Sequence, residues 1–178
     1  LNIKKYFEIE YKKENKSYEE YKEGIKKVLE ESIEAHKIAS DVEVGSYLSG
    51  GVDSSYVVAC AHPDKTFSVG FNEKANGNLV FDETVYAKEL SKSLNIKNYS
   101  ELIDKNDFFN ILPTIQYHTD EPHANLSTVP LYFLSALARK NVKVVLSGEG
   151  ADEFFGGYNY YREEVDYKFY NKIPYCIR

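Results

Sequence analysis

The chain has 178 residues, a formal net charge of −6, two cysteines and no methionine. This length suffices for one domain with a sizeable core, and the acidic balance argues against a broad nucleic-acid surface. No apolar run is long enough to span a membrane, no signal-peptide pattern begins the chain, and two cysteines make neither a disulfide framework nor a zinc site. We therefore expect a reduced, cytoplasmic setting, and a chain without methionine that begins at Leu1 is expected to be a piece of a longer protein.

The N-terminal part of the chain predicts a linker followed by a helix. Residues 1–16 are charged and without a clean period, which is typical of a linker or lead-in, whereas residues 17–178 are predicted to form part of one domain. Ser17 and Glu20 have the spacing of a capping box. Apolar residues then recur at helical spacing as far as Ile33. We expect this amphipathic helix to cover one face of a sheet.

Strands and helices alternate through the rest of the chain. Strands are predicted at 43–48, 66–71, 96–102 and 142–146. The helix that follows the first strand is predicted to end at 61, and further helices are predicted at 82–94, 107–118 and 127–139. A polar loop is predicted at 72–78. This alternation predicts an α/β fold, a doubly wound parallel sheet with helices on both faces. From loop chemistry we expect the strand order 3-2-1-4, which puts the loops after the first and fourth strands side by side at the switch point.

The segment Ser49-Gly-Gly-Val-Asp-Ser-Ser55, called the first loop below, lies where a strand turns into a helix. Gly50 and Gly51 can take positive φ and have no Cβ to keep a ligand away. Serine hydroxyls and the first N–H groups of the helix favour an anion such as a phosphate chain. Asp53 would repel that phosphate unless Mg²⁺ lies between them. The bland alternative is a Gly-Gly turn with a serine N-cap.

The ending of the first loop also indicates which phosphate chemistry it serves. It lacks the Gly-Lys-Ser/Thr ending of the usual nucleotide P-loop, so no lysine reaches for a γ-phosphate. A loop that holds pyrophosphate in this way suits a reaction in which pyrophosphate leaves and AMP is transferred.

The segment from Ser147 to Asp152, called the second loop below, repeats the small Ser-Gly turn after the fourth strand. If the two loops are neighbours, Asp53 and Asp152 could face one Mg²⁺–pyrophosphate unit from two sides. Glu149 would lie nearer the reacting carbon, where it could bind an amine nucleophile or accept its proton. The alternative is that Asp152 and Glu153 are helix N-terminal acids that interact with the helix dipole.

The first loop resembles the Ser-Gly-Gly-x-Asp-Ser signature of the ATP pyrophosphatases. A second segment, Leu146-Ser-Gly-Glu-Gly-Ala-Asp-Glu-Phe-Phe-Gly-Gly-Tyr158, resembles the second signature of asparagine synthetases of the glutamine-hydrolysing type. Phe67–Gly70 and Asp120–Pro122 resemble further segments of the same family. The resemblance runs from about Ser17 to about Arg162 in the family's order. It implies the α/β fold of the adenine nucleotide alpha-hydrolase type. β-Lactam synthetases share that fold but carry a tyrosine where this chain has Glu149, which favours asparagine as the product.

The resemblance implies a set of roles for residues of this chain. Leu48 and Val69 would contact the adenosine of ATP, and Ser147 and Gly148 would touch the nucleotide. Glu149 would serve formation and amination of a β-aspartyl-AMP intermediate, and Asp152 would bind the second side of Mg²⁺–pyrophosphate. Pyrophosphate and Mg²⁺ would be held by Ser49, Gly50, Gly51, Asp53, Ser54 and Ser55. The implied cofactors are ATP and Mg²⁺, and the implied substrates are aspartate and ammonia.

The chain also departs from this family's pattern. Members begin with a glutaminase domain that supplies ammonia from glutamine, and they continue into helices that carry a lysine, whereas this chain runs from Leu1 to Arg178. We expect the isolated piece to bind ATP weakly and turn over poorly. A different amidating or cyclising synthetase of the β-lactam type and an inactive nucleotide-binding fragment remain alternatives, and a homodimer stays open. His118 and His123 match no metal-ligand spacing, so we expect their loop to line the aspartate pocket.

Overall fold

The computed structural model describes residues 2–8, 10, 12–72, 74–75, 78–79, 82–162, 167–168, 170–174 and 177. The helices are α1 (Tyr18–Ile38), α2 (Val52–Ala61), α3 (Thr84–Ser93), α4 (Lys105–Thr119), α5 (Thr128–Arg139) and α6 (Ala151–Phe155). The strands are β1 (Val44–Tyr47), β2 (Lys65–Phe71), β3 (Lys74–Ala75), β4 (Asn78–Leu79), β5 (Lys97–Ile103) and β6 (Val144–Leu146). Short 3₁₀ turns follow at Asn159–Arg162 and Tyr170–Lys172.

The main sheet has four parallel strands in the order β5-β2-β1-β6. These are the third, second, first and fourth strands of the sequence analysis, so the expected order and the α/β fold class are confirmed. β3 and β4 pair antiparallel where a polar loop was predicted, so that loop prediction was wrong over these residues, and Gly77 lies outside the described residues. The carboxyl ends of β1 and β6 meet at one edge, which is where a doubly wound sheet binds its ligands.

Side-chain caps set where two of the helices begin. The main-chain N–H of Ser17 donates to Glu20 at 2.7 Å and the N–H of Glu20 donates back to the Ser17 hydroxyl at 3.3 Å, so the predicted capping box starts α1. A second box joins Asp104 and Asp107 and starts α4 two residues earlier than predicted. Pro113 lies inside α4 without dividing it.

The two faces of the sheet bury different clusters. On one face Leu48 packs with Val58 of α2 and Ala87 of α3. On the other face one cluster joins Phe67 to Ala138 and Val142, and a second joins Ile103, Ile115 and Val129. The helices α2 and α3 therefore cover one face and α4 and α5 the other, as a doubly wound fold requires.

Helix α1 does not cover the sheet, so that expectation was wrong. It packs on α2, where Lys37 Nζ donates to the carbonyl of Ala61 at 2.7 Å. None of its residues is buried, and Tyr18, Val28 and Ile38 are exposed. The reason is topological: α2 already occupies the sheet face beneath α1. Within the described part of the chain, no helix combines the length and apolarity needed to cross a membrane.

Candidate active site

The first and second loops meet because β1 and β6 are direct neighbours in the sheet. Ser46 of β1 pairs in register with Leu146 of β6, and its hydroxyl donates to the Leu146 carbonyl at 3.2 Å. Beyond these residues, a Cβ built on Gly148 would lie 2.8 Å from both the carbonyl carbon of Asp53 and the nitrogen of Ser54. Real Cβ atoms essentially never come this close. Only glycine therefore allows the two loops this approach.

Between these loops and helix α5 lies an open crevice of about 1100 Å³. Nine of the residues singled out from the sequence line it: Leu48, Ser49, Gly51, Asp53, Ser54, Val69, Ser147, Gly148 and Glu149. Gly50, Ser55 and Asp152 are not part of that lining. The structure thus brings most of the expected set together in one concave site at the carboxyl edge of the sheet.

The serine hydroxyls of the first loop bond mainly to the loop itself. Ser54 Oγ accepts the N–H of Ser49 at 3.2 Å, lies 3.0 Å from Ser49 Oγ and lies 3.3 Å from the carbonyl of Gly51, to which it donates. Ser49 Oγ in turn accepts the N–H of Gly51 at 3.2 Å. These bonds fix the loop's shape. The donors available to an anion are then the main-chain N–H groups at the start of α2.

The two glycines of the first loop do different work. Gly50 has φ +88°, and a Cβ there would lie 2.9 Å from Tyr86 Cβ and 3.1 Å from the carbonyl of Glu83. Gly51 has φ −70° and is the N-cap of α2, so of the two glycines that can take positive φ only Gly50 does so. The N-terminal end of α3 therefore backs the first loop and leaves room only for a glycine at position 50.

The capping of α3 ties that same helix end to β2. Glu83 is its N-cap residue without a side-chain cap, whereas Asp82 accepts the N–H and the hydroxyl of Thr84 through one carboxylate oxygen. A Cβ on Gly70 of β2 would lie 2.7 Å from that oxygen. The backing of the first loop is thus built from β2 and the start of α3 together.

In the second loop, Ser147 Oγ donates to Glu149 Oε1 at 3.1 Å, and both residues face the crevice. The Asp152 carboxylate instead lies against Gly157, whose N–H donates to the Asp152 carbonyl at 3.0 Å. Glu153 accepts the hydroxyl of Tyr158 at 2.7 Å. This hydrogen bond to Glu153 is the main cause that raises the pKa of Tyr158 to about 12. Asp152 and Glu153 thus make their contacts outside the crevice, in the first turn of α6. This agrees with the alternative interpretation that they are helix N-terminal acids.

Several lining residues were not found from the sequence. They come from the strand ends, from the start of α3 and from the start of α5: Tyr47, Phe71, Glu83, Asn125, Ser127, Thr128, Pro130, Leu131 and Leu134. Tyr47 also contacts α5, since its hydroxyl lies 2.9 Å from Ser135 Oγ. The sequence signal for Tyr47 and Phe71 was their place at the carboxyl ends of β1 and β2. The α5 residues had no local signal, because the packing of α5 over the sheet decides their position.

The loop before α5 contributes Asn125, and neither of its two flanking histidines, to the lining of the crevice. Gln116 holds this loop through two bonds to His123, from Gln116 Nε2 to the carbonyl at 2.9 Å and from the His123 N–H to Gln116 Oε1 at 3.0 Å. The N–H of Asn125 donates to His123 Nδ1 at 3.2 Å. Neither His118 nor His123 lines the crevice. The expected aspartate-pocket loop therefore meets the crevice only at its end.

A magnesium ion fits this site only as part of a phosphate complex. Among the described residues no group of three His, Cys, Asp or Glu side chains could hold a metal ion. Asp53, in the first turn of α2, offers one carboxylate to the crevice. One or two carboxylates plus substrate phosphates are the usual holders of Mg²⁺ in proteins. The residues thus fit Mg²⁺ that arrives with a polyphosphate.

These features define a doubly wound α/β domain with a two-loop crevice at the carboxyl edge of its parallel sheet. The chain belongs to the asparagine synthase family, whose sequence model matches residues 24–174. It is 42% identical over 178 residues to glutamine-hydrolyzing asparagine synthetase 1 of Bacillus subtilis, covering 98% of this chain and 27% of that protein. It is 27% identical over 176 residues to asparagine synthetase 3 of the same organism, covering 90% of this chain and 28% of that protein.

The chain thus spans about a quarter of the length of these curated relatives. Among solved structures, the NH3-dependent NAD synthetase from Campylobacter jejuni, in complex with a nitrate ion, has a TM-score of 0.46 and 18% sequence identity. That likeness covers 77% of this chain and 60% of the other.

Proposed function

We propose that this domain binds MgATP in the two-loop crevice and, within the complete protein, activates aspartate for ATP-dependent synthesis of asparagine. The close approach of Gly148 to Asp53 and Ser54 is the observation that carries the proposal. It supports one crevice in which the helix-start N–H groups, Asp53 and Glu149 act on the same substrate. Family membership and the names of the relatives support the amidation chemistry.

The proposed first step forms an acyl adenylate. An oxygen of the aspartate side-chain carboxylate attacks the α-phosphorus of ATP, the bond to the bridging oxygen breaks, and pyrophosphate leaves. The N–H groups at the start of α2 would bind the departing phosphates, and Asp53 would hold a Mg²⁺ whose charge would offset theirs. Leu48 and Val69 line the adenosine end, and Asp152 takes the second side of pyrophosphate if its carboxylate leaves Gly157.

The proposed second step is amination. The nitrogen of ammonia attacks the acyl carbon, the bond to AMP breaks, and the nitrogen loses one proton. Glu149 would accept that proton, and the hydrogen bond that the Ser147 hydroxyl donates to Glu149 at 3.1 Å supports this role because it orients the carboxylate. We further propose that a glutaminase domain elsewhere in the complete, cytoplasmic protein supplies the ammonia, since the relatives are named for glutamine hydrolysis.

The decisive test is aspartate-dependent exchange of labelled pyrophosphate into ATP by the complete protein, followed by measurement of asparagine and AMP with ammonia or glutamine. We expect exchange that needs both aspartate and Mg²⁺. Exchange driven by another carboxylate but not by aspartate would favour a β-lactam-type or other amidating synthetase. ATP binding with no exchange would favour a non-catalytic nucleotide-binding domain. The 178-residue chain alone is expected to bind MgATP weakly and to exchange poorly.

A further inference from the structure

A network of buried and half-buried polar side chains lies between the sheet and α3, ends near the first loop and has no part in the chemistry proposed above. Ser68 and Thr66 of β2 are 2% and 0% exposed, and Ser91 of α3 is 1% exposed. Asn98 of β5 donates through Nδ2 to Thr66 Oγ1 at 3.0 Å and to Ser68 Oγ at 3.1 Å. Thr66 Oγ1 lies 2.8 Å from Ser91 Oγ. Buried polar groups are costly unless bonded, so such a network needs a reason.

The network ends at the carbonyl that precedes the first loop. Ser68 Oγ donates its only hydrogen to the carbonyl of Leu48 at 2.7 Å, so it must accept from Asn98. This fixes the Asn98 amide with both of its N–H donors turned into the network. Asn98 Oδ1 is then left buried with no partner in the described part of the chain. Asn98 thus leaves its carbonyl oxygen without a hydrogen bond, whereas its Nδ2 group donates the hydrogen bond that orients the Ser68 hydroxyl.

The Leu48 carbonyl and the Ser49 N–H belong to one planar peptide unit. Ser68 holds its carbonyl end at 2.7 Å, and Ser54 Oγ holds its N–H end at 3.2 Å. The N–H of Leu48 itself donates to the carbonyl of Phe67 at 2.9 Å, and the Leu48 side chain is 1% exposed. The peptide plane at the entrance of the first loop is therefore bonded from both sides at the point where the chain leaves the sheet.

We propose that Ser68, oriented by Asn98, is a positioning residue that sets the first loop for phosphate binding. The proposal rests on the MgATP site proposed above. Without the Ser68 hydroxyl the peptide between Leu48 and Ser49 can rotate, which loosens the Ser49–Ser54 bond and the helix start behind it. The effect should fall on the nucleotide and not on aspartate, because only the nucleotide phosphates are proposed to bind the first loop.

The test compares the variants Ser68→Ala and Ser91→Ala of the complete protein. Both variants remove a hydroxyl of the same network from a residue that is at most 2% exposed, but only the Ser68 hydroxyl bonds to the Leu48 carbonyl. We expect Ser68→Ala to weaken MgATP binding by about fivefold to tenfold, the size of one lost hydrogen bond. It should raise the KM for ATP in pyrophosphate exchange by a similar factor and leave the KM for aspartate within about twofold. Ser91→Ala should leave both within about twofold at a similar loss of melting temperature.

Each outcome decides between the inference and a general packing effect. Equal loss of ATP affinity in both variants, or an unchanged ATP affinity in folded Ser68→Ala, would overturn the positioning role. If Ser68→Ala does not fold, Asn98→Ala takes its place at a half-buried edge position. In that variant the affinity for MgATP should fall by only about twofold to threefold, because the Ser68 hydroxyl remains. An affinity equal to that of the wild type would refute the positioning role. Wild-type protein that binds no MgATP would overturn the proposed function itself and this inference with it.

Discussion

The approach of the two loops makes Gly148→Ala the most informative single substitution. The new Cβ would lie 2.8 Å from two main-chain atoms of Asp53 and Ser54, whereas ordinary contact begins at 3.4 Å. The loops must therefore separate by roughly 0.6 Å, and main-chain atoms of a helix start cannot turn aside as a flexible side chain would. Overpacking of this kind costs about 1–3 kcal/mol. For a chain of this length about 2 kcal/mol lowers the melting temperature by about 6 °C.

The same displacement should reach the nucleotide. A shift of roughly 0.6 Å moves the main-chain N–H groups proposed to bind the phosphates, so the affinity for MgATP should fall by at least about tenfold, the size of one hydrogen bond to a charged group. Calorimetric titration and thermal unfolding measure the two effects. Gly24→Ala is the matched control, because nothing lies within 4 Å of its new Cβ inside α1, and it should stabilise by about 0.5–1 kcal/mol. A Gly148→Ala variant with wild-type melting temperature and MgATP affinity would refute the two-loop contact.

Three further predictions follow from single side chains. Asp53→Asn in the complete protein should abolish pyrophosphate exchange, because we propose that this carboxylate holds Mg²⁺. The loss in unfolding free energy should stay below about 1 kcal/mol, since the only other interaction lost is the one with the helix dipole. Normal asparagine output would contradict the proposed role. Glu149→Ala should impair formation of the adenylate or its amination, measured as exchange against asparagine release, and unchanged rates of both would remove Glu149 from the mechanism. The main-chain N–H of Asp107, and then that of Asn106, hold the pKa of Asp104 below its ordinary 3.8. That stabilisation is present above pH 3.8 and is lost as the pH falls through the lowered pKa. The gap in unfolding midpoint between wild type and Asp104→Ala should therefore shrink in acid, and a constant gap would argue against the cap.

The sheet and its two loops were predictable because their signals are local. Each strand is a short apolar run followed by small polar residues, and parallel strands put such loops at one edge. Ser49–Ser55 and Ser147–Asp152 could therefore be paired before any coordinates were known. The capping box at Ser17 is equally local, since its two partners are three residues apart.

The errors arose where distant parts of the chain decide. Gly50 and Gly51 offer the same freedom in sequence, and only the packing of Tyr86 and Glu83 behind the loop determines which one needs positive φ. The apolar stripe of α1 showed that one side packs but not that α2 would be the partner. Thr128 and Leu131 line the crevice through the angle at which α5 crosses the sheet, and no nearby pattern encodes that angle.

The serine hydroxyls of the first loop bond mainly within the loop itself. Ser49 and Ser54 bond to each other and to main-chain groups of the loop, so they act first as a scaffold and only second as ligands. A loop whose shape is already fixed loses little conformational freedom when phosphates arrive. In the proposed complex the charge of those phosphates would meet N–H groups at the start of α2, which need no rearrangement to bind it. On this account the serines favour binding through the order they impose before ATP enters, and Ser68 extends that order one strand deeper into the sheet.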